Sequence, residues 1–239
     1  MLRDSDLDPL RELPEWEILL ERCRDLEAKT PPPDPKPVVV PPVATGSGDG
    51  RVLVVLHAAG SRPELETEHW TAATEAGWTI IAPQSTQRLS AAGRYGWHDL
   101  ERAKADVMTQ LEEAGHLSEG DLVIGGFSQG AGLAAHLACG AGVLAAGLIL
   151  VCPTFHWGMP EAPASGGPVA TVIFLGTEER PRITEDVEKL SEIIRGVDWP
   201  MEIELLEGVG HSYPPDFHGR LARALGSIES MSADQSISS

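Results

Sequence analysis

A chain of 239 residues with 42% apolar content is long enough to bury a substantial core, as one large α/β domain or two small ones. Its net charge of -18, from 36 acidic and 18 basic residues, repels phosphate backbones and anionic bilayers, so the expectation is no nucleic-acid partner. The three cysteines, Cys23, Cys139 and Cys152, form no C-x-x-C pair; this excludes a disulfide scaffold and points to a reducing compartment, the cytoplasm.

In chain order, residues 1–30 are charged and mixed, with Trp16, Ile18, Leu19, Cys23 and Leu26 on one face of a short helix. No basic region followed by an apolar run opens them. Residues 31–37 are mostly proline and cannot be helical, residues 38–40 read as an edge strand, and residues 46–50 as a turn. These fifty residues are expected to decorate a catalytic domain at 51–229, which a flexible polar tail, 230–239, follows.

From Arg51 the pattern turns regular. Residues 52–56 are a near-continuous apolar run, as in a parallel strand buried on both faces. A helix is expected at 64–76, a strand at 78–82, a long loop at 83–97 and a helix at 99–114. Then come a strand at 121–125, a helix at 128–139, a strand at 144–151, a loop at 154–167 and a strand at 169–175. A helix at 183–194, a strand at 201–206 and a helix at 215–228 complete the series. The alternation predicts an α/β fold with a mostly parallel sheet covered by helices on both faces. The longest apolar stretch, 141–152, is interrupted by Gly147 and too short to span a bilayer. In such sheets the reactive groups collect at the carboxyl ends of the strands.

One such end carries Gly126-Phe127-Ser128-Gln129-Gly130, a G-x-S-x-G turn between an apolar strand and an Ala-rich helix. The glycines leave room for a sharp strand-to-helix turn. The serine then sits exposed, in strained backbone, at a helix N-terminus that favours developing negative charge. The order of partners in this arrangement is serine, acid, histidine. His211, in Gly208-Val209-Gly210-His211-Ser212 beyond the last strand, is the expected general base, with His218 in the final helix as its rival. The acid is expected just after the strand ending at Leu175-Gly176, with Glu179 preferred over Glu178 and Asp186. The oxyanion N–H groups are expected from Gln129 and from the loop His57-Ala58-Ala59-Gly60-Ser61, where His57 reads as structural.

Residues 56–61, the turn 126–130, the turn 176–179 and residues 208–211 together resemble the phospholipase/carboxylesterase family of α/β-hydrolases, which includes acyl-protein thioesterases. The likeness runs from about Val52 to Leu225, and Tyr95-Gly96-Trp97 resembles the family's tryptophan-containing stretch near the acyl pocket. It implies Ser128, Glu179 and His211 as the triad and Ala59 and Gln129 as the oxyanion donors. The family's first loop reads His-Gly-x-Gly where this chain has His57-Ala58-Ala59-Gly60, and its acid is an aspartate where this chain has Glu179. Residues 1–30 have no counterpart in it.

Trp97, Phe155, Trp157 and Tyr213 are the expected walls of an acyl or aryl pocket. Histidines 69, 98, 116, 136 and 156 show no zinc spacing, and no dinucleotide or phosphate motif appears, so no metal or cofactor is expected. Cys139 and Cys152 read as small buried hydrophobes. The function expected is a serine carboxylesterase working through an acyl-enzyme on a small-molecule ester or thioester. The alternatives are an acyl thioesterase, a peptidase or a lactone hydrolase of the same fold, or a non-catalytic hydrolase-like binding module.

Overall fold

Three apolar runs at the heart of the chain, 52–56, 122–127 and 145–151, lie side by side and set the architecture. The computed structural model describes residues 8–29, 35–43, 50–90, 93–115, 122–140, 145–163 and 167–238. Outside them lie most of the proline run (31–34), most of the turn at 46–50, His116, and the expected strand starts Asp121 and Leu144.

The elements in order begin with α1 (Asp8–Arg11), α2 (Trp16–Lys29), β1 (Val38–Val40), β2 (Val52–Leu56), α3 (Pro63–Thr67), α4 (Ala72–Glu75) and β3 (Thr79–Ala82). A small hairpin, β4 (Arg88–Ser90) and β5 (Arg94–Tyr95), precedes α5 (Leu100–Glu113), β6 (Leu122–Phe127), α6 (Gln129–Cys139) and β7 (Ala145–Val151). The chain ends with β8 (Ala170–Gly176), α7 (Pro181–Gly196), β9 (Met201–Leu206) and α8 (Phe217–Ser238).

Seven strands form one sheet in the order β1-β3-β2-β6-β7-β8-β9. Every neighbouring pair is parallel except β1–β3, which places residues 38–40 at an antiparallel edge. Successive side chains on a strand point to opposite faces. Val52, Val54 and Leu56 accordingly pack with α5, α6 and α7, while Leu53 and Val55 pack with α4 and α8. The sheet is thus buried on both sides, which is why its central strands read as unbroken apolar runs.

Four expectations change. The helix expected at 64–76 is broken into α3, a 3-10 turn at Glu68–Trp70, and α4. The tighter turn seats the Trp70 indole over Gly125, where a Cβ would lie 2.6 Å from the ring. The loop at 83–97 contains the β4–β5 hairpin, turned at Gly93 with φ 71°. The final helix continues to Ser238 instead of ending at residue 228, since no proline or glycine interrupts residues 227–238. On α2, Ile18, Leu19, Cys23 and Leu26 face solvent, and Leu20 is the residue that is buried.

Candidate active site

The turn between β6 and α6 holds Ser128 at φ 55° and ψ -116°, a conformation costing a non-glycine residue about 1–3 kcal/mol. Its surroundings enforce it. Ser128 N–H donates to Val151 O at 2.9 Å, and Ser128 O accepts from Gly132 N and Thr154 N, both at 3.1 Å. The flanking glycines are steric necessities, because a Cβ at Gly126 or Gly130 would lie 2.6 or 2.0 Å from Leu56 O. The G-x-S-x-G pattern thus records how closely β2 passes the turn.

Two more loops converge on this point. After β8, Gly176 lies so near the histidine loop that a Cβ would stand 2.0 Å from Val209 O. Glu178 N–H donates to the same carbonyl at 2.9 Å, stitching the loops after β8 and β9 together. His211 then reaches both neighbours, with Nδ1 2.6 Å from Glu179 Oε2 and Nε2 2.9 Å from Ser128 Oγ. The network assigns the protons: Nδ1–H donates to the carboxylate, and Nε2 accepts from the serine hydroxyl. The Glu179 side chain is 0% exposed, and its Oε1 accepts from Arg180 N at 2.8 Å.

The rivals stand elsewhere. Glu178 is exposed. Asp186 lies on α7 beside Lys189 and Arg182. His218 lies on α8 and pairs with Glu75 at 3.3 Å.

The serine-carboxylesterase expectation requires correction at Cys152. That expectation took Ser128, His211 and Glu179 as the whole site and Cys152 as an inert small hydrophobe. Instead Cys152, Glu179 and His211 form one cluster, their side-chain ligand atoms all within 4.8 Å of one another. The imidazole–carboxylate pair is therefore flanked by a sulfur as well as an oxygen, and the assignments "serine esterase" and "carboxylic ester hydrolase" are not carried further. The signal was available in the sequence, because Cys152 directly follows β7 at the carboxyl end of the sheet, where reactive groups gather.

Cys152 has φ 45°, its N–H donates to Phe174 O at 2.9 Å, and its Sγ lies 3.9 Å from Ser212 O. Burial, with the Glu179 charge adding to it, pushes the thiol up to about 12. Cys, Glu and His are suitable zinc donors, but tetrahedral bonds of about 2.0–2.3 Å separate ligand atoms by roughly 3.3 Å or more. The 2.6 Å Glu179–His211 contact is a hydrogen bond, closer than two atoms sharing a metal would stand. Cys139 and Cys152 are buried, so packing accounts for their unpaired state whatever the compartment. No helix among the described residues is long and apolar enough to cross a membrane.

Around the serine, Gln129 opens α6, so its N–H belongs to the unpaired first turn. Its side chain fastens the neighbouring loops, with Oε1 accepting from Trp97 N at 2.7 Å and Nε2 3.2 Å from His156 Nε2. Ala59 is exposed at the tip of the loop after β2. His57 beneath it is wholly buried, and burial lowers its pKa to about 4, which keeps it neutral. Its Nδ1–H donates to Ala58 O at 3.0 Å while Nε2 accepts from Ser85 N at 3.3 Å, the structural role expected of it.

The four aromatic candidates divide. Trp97 is 0% exposed, stacks on His57 and donates to His57 O at 2.8 Å; with Phe155 it belongs to the core beneath the site. Trp157 is half-buried and donates to His98 O at 2.9 Å. Tyr213 stacks on His69 and packs against Phe127, next to the serine. The sequence reading also missed Glu66, a buried acid bonded to Ala58 N and Tyr213 Oη; nothing in the run Glu64, Glu66, Glu68 singles it out.

The architecture is that of the α/β-hydrolases, with Ser128, Cys152, Glu179 and His211 on the loops that follow β6, β7, β8 and β9. Solved structures share it at low identity. An uncharacterized protein from Bacillus cereus ATCC 10987 is 21% identical with a TM-score of 0.67, over 95% of this chain and 74% of that one. Acyl-protein thioesterase 2 from Zea mays is 16% identical with a TM-score of 0.64, over 81% of this chain and 99% of that one. The Bacillus cereus carboxylesterase is 17% identical with a TM-score of 0.61, over 87% of this chain and 98% of that one. No family model matches the chain. No curated protein matches it either.

Proposed function

We propose that the chain is an acyl hydrolase of the thioesterase kind, within the phospholipase/carboxylesterase group of its superfamily. The observation that carries this is the His211 imidazole, hydrogen-bonded to Glu179 through Nδ1 and to Ser128 Oγ through Nε2. In this reading Ser128 Oγ attacks the acyl carbon as His211 takes its proton, and Glu179 stabilises the imidazolium. The N–H groups of Gln129 and Ala59 hold the tetrahedral oxyanion. Collapse expels the thiol, and water activated by His211 releases the acid from Ser128. A thiol, with a pKa near 8.5, leaves with little help from the protonated histidine. The shape shared with the Zea mays acyl-protein thioesterase 2 supports the same substrate class.

A second reading makes Cys152 the attacking group, because its Sγ shares the cluster with His211 and Glu179. Its complete burial and its thiol pKa of about 12 count against it. The test is hydrolysis of matched oxoester and thioester pairs of equal acyl length by wild type, Ser128→Ala and Cys152→Ala. The proposal expects thioester turnover to vanish in Ser128→Ala and persist in Cys152→Ala. The reverse pattern supports the cysteine reading, and absence of thioester turnover in wild type rejects both.

A further inference from the structure

The loop after β2 and the histidine loop are joined through one buried carboxylate that the hydrolytic steps do not use. Glu66 lies in α3 at 3% exposure, where an ionised carboxylate needs donors on both oxygens. Oε2 accepts from Ala58 N at 3.3 Å, Oε1 accepts from the Tyr213 hydroxyl, and the Ser61 side chain also bonds to it. Trp70 Nε1–H donates to the Tyr213 oxygen at 2.9 Å, so the phenol's own proton is directed at Glu66. Burial raises the Glu66 pKa, and the bonds from Tyr213, Ala58 and Ser61 oppose that rise.

Each end of this bridge touches the proposed chemistry. In a trans peptide the N–H points opposite to the preceding carbonyl, so whatever fixes Ala58 C=O also aims Ala59 N–H. Ala58 O accepts from His57 Nδ1 at 3.0 Å and from Ser61 N at 3.1 Å, while Glu66 holds Ala58 N–H on the other side. At the far end Tyr213 is two residues beyond His211. The Phe127 ring packs against both, its centroid 5.0 Å from that of His211 and 4.8 Å from that of Tyr213.

We infer that Glu66 is a positioning residue, locking the Ala58–Ala59 turn to the His211–Tyr213 segment so that the oxyanion donor and the imidazole keep their separation. The inference rests on the hydrolytic reading with Ser128 as the attacking group. Glutamine replaces the carboxylate poorly: with one acceptor oxygen for two donors, its NH₂ either faces Ala58 N–H or, donating to the Tyr213 oxygen, turns the phenol proton away from its acceptor. Aspartate keeps the charge with a shorter reach.

The experiment measures the second-order rate of labelling by a fluorophosphonate in the full-length protein, beside kcat, KM and thermal melting. The proteins are wild type, Ser128→Ala, Glu66→Gln, Glu66→Asp and Tyr213→Phe. Labelling and kcat are expected to fall about tenfold or more in Glu66→Gln and in Tyr213→Phe, with KM within about twofold of wild type and partial recovery in Glu66→Asp. Should Glu66→Gln fail to melt cooperatively, Tyr213→Phe carries the comparison, since it keeps the ring and deletes only the hydroxyl. Wild-type labelling and kcat in the folded variants overturn the inference and leave the hydrolytic reading standing. A wild-type protein that is not labelled at Ser128 overturns the hydrolytic reading, and the inference with it.

Discussion

Glu179 Oε2 lies 2.6 Å from His211 Nδ1, while Glu178, one residue earlier, points to solvent. Removing the Glu179 carboxylate deletes the hydrogen-bond partner of His211 Nδ1, which in the proposed mechanism stabilises the imidazolium. Glu179→Ala is therefore expected to lower kcat/KM by about a thousandfold, and Glu178→Ala and Asp186→Ala by less than about threefold. The check is kcat/KM for the three variants on one substrate, with folding confirmed by thermal melt. Loss of activity in Asp186→Ala with Glu179→Ala near wild type would move the acid to α7.

Gly176 faces Val209 O at a separation that leaves no space for a methyl group. Gly176→Ala must push apart the loops that carry Glu179 and His211. It is expected to destabilise the fold by about 2 kcal/mol or more and to lower kcat in the fraction that stays folded. Urea unfolding and single-turnover rates measure the two effects. A Gly176→Ala protein with wild-type stability and rate would show that these loops are not held together there.

Cys152 is buried with its thiol pushed up to about 12, whereas Cys23 is exposed on α2. At pH 8 a thiol with that pKa is ionised in about one molecule in ten thousand. Iodoacetamide on the native protein is expected to modify Cys23 and to leave Cys152 untouched until denaturant is added. Mass mapping of alkylated peptides reads this directly. Rapid native alkylation of Cys152 would mean a thiolate stabilised by His211, and would favour the cysteine reading.

The run of strands along the chain, the largely parallel sheet and the convergence of Ser128, His211 and Glu179 were legible because each rests on a local constraint with a sequence signature. Buried parallel strands read as apolar runs, and Gly126, Gly130 and Gly176 mark places where backbone passes too close for a Cβ. The place of Cys152 was legible only in part: its position directly after β7 is plain in the sequence, but its contact with Glu179 and His211 forms only when the loops after β8 and β9 fold against it. Glu66 was hidden for the same reason: its partner Tyr213 lies 147 residues away in sequence. Trp97 and Phe155 suggested pocket walls by residue type, yet both sit in the core, because a long loop next to a site must itself be packed down. The break at Glu68–Trp70 escaped the helical pattern because the space over Gly125, not local propensity, decides where Trp70 goes.

In the proposed function acyl transfer passes through Ser128, with His211 and Glu179 behind it. The most direct measurement is to mix the protein with an acyl thioester, quench in acid before turnover is complete, and map the acyl adduct by peptide mass spectrometry. The acyl group is expected on the peptide containing Ser128, in wild type and in Cys152→Ala, with no adduct in Ser128→Ala. An adduct on Cys152, or one that survives in Ser128→Ala, would contradict it.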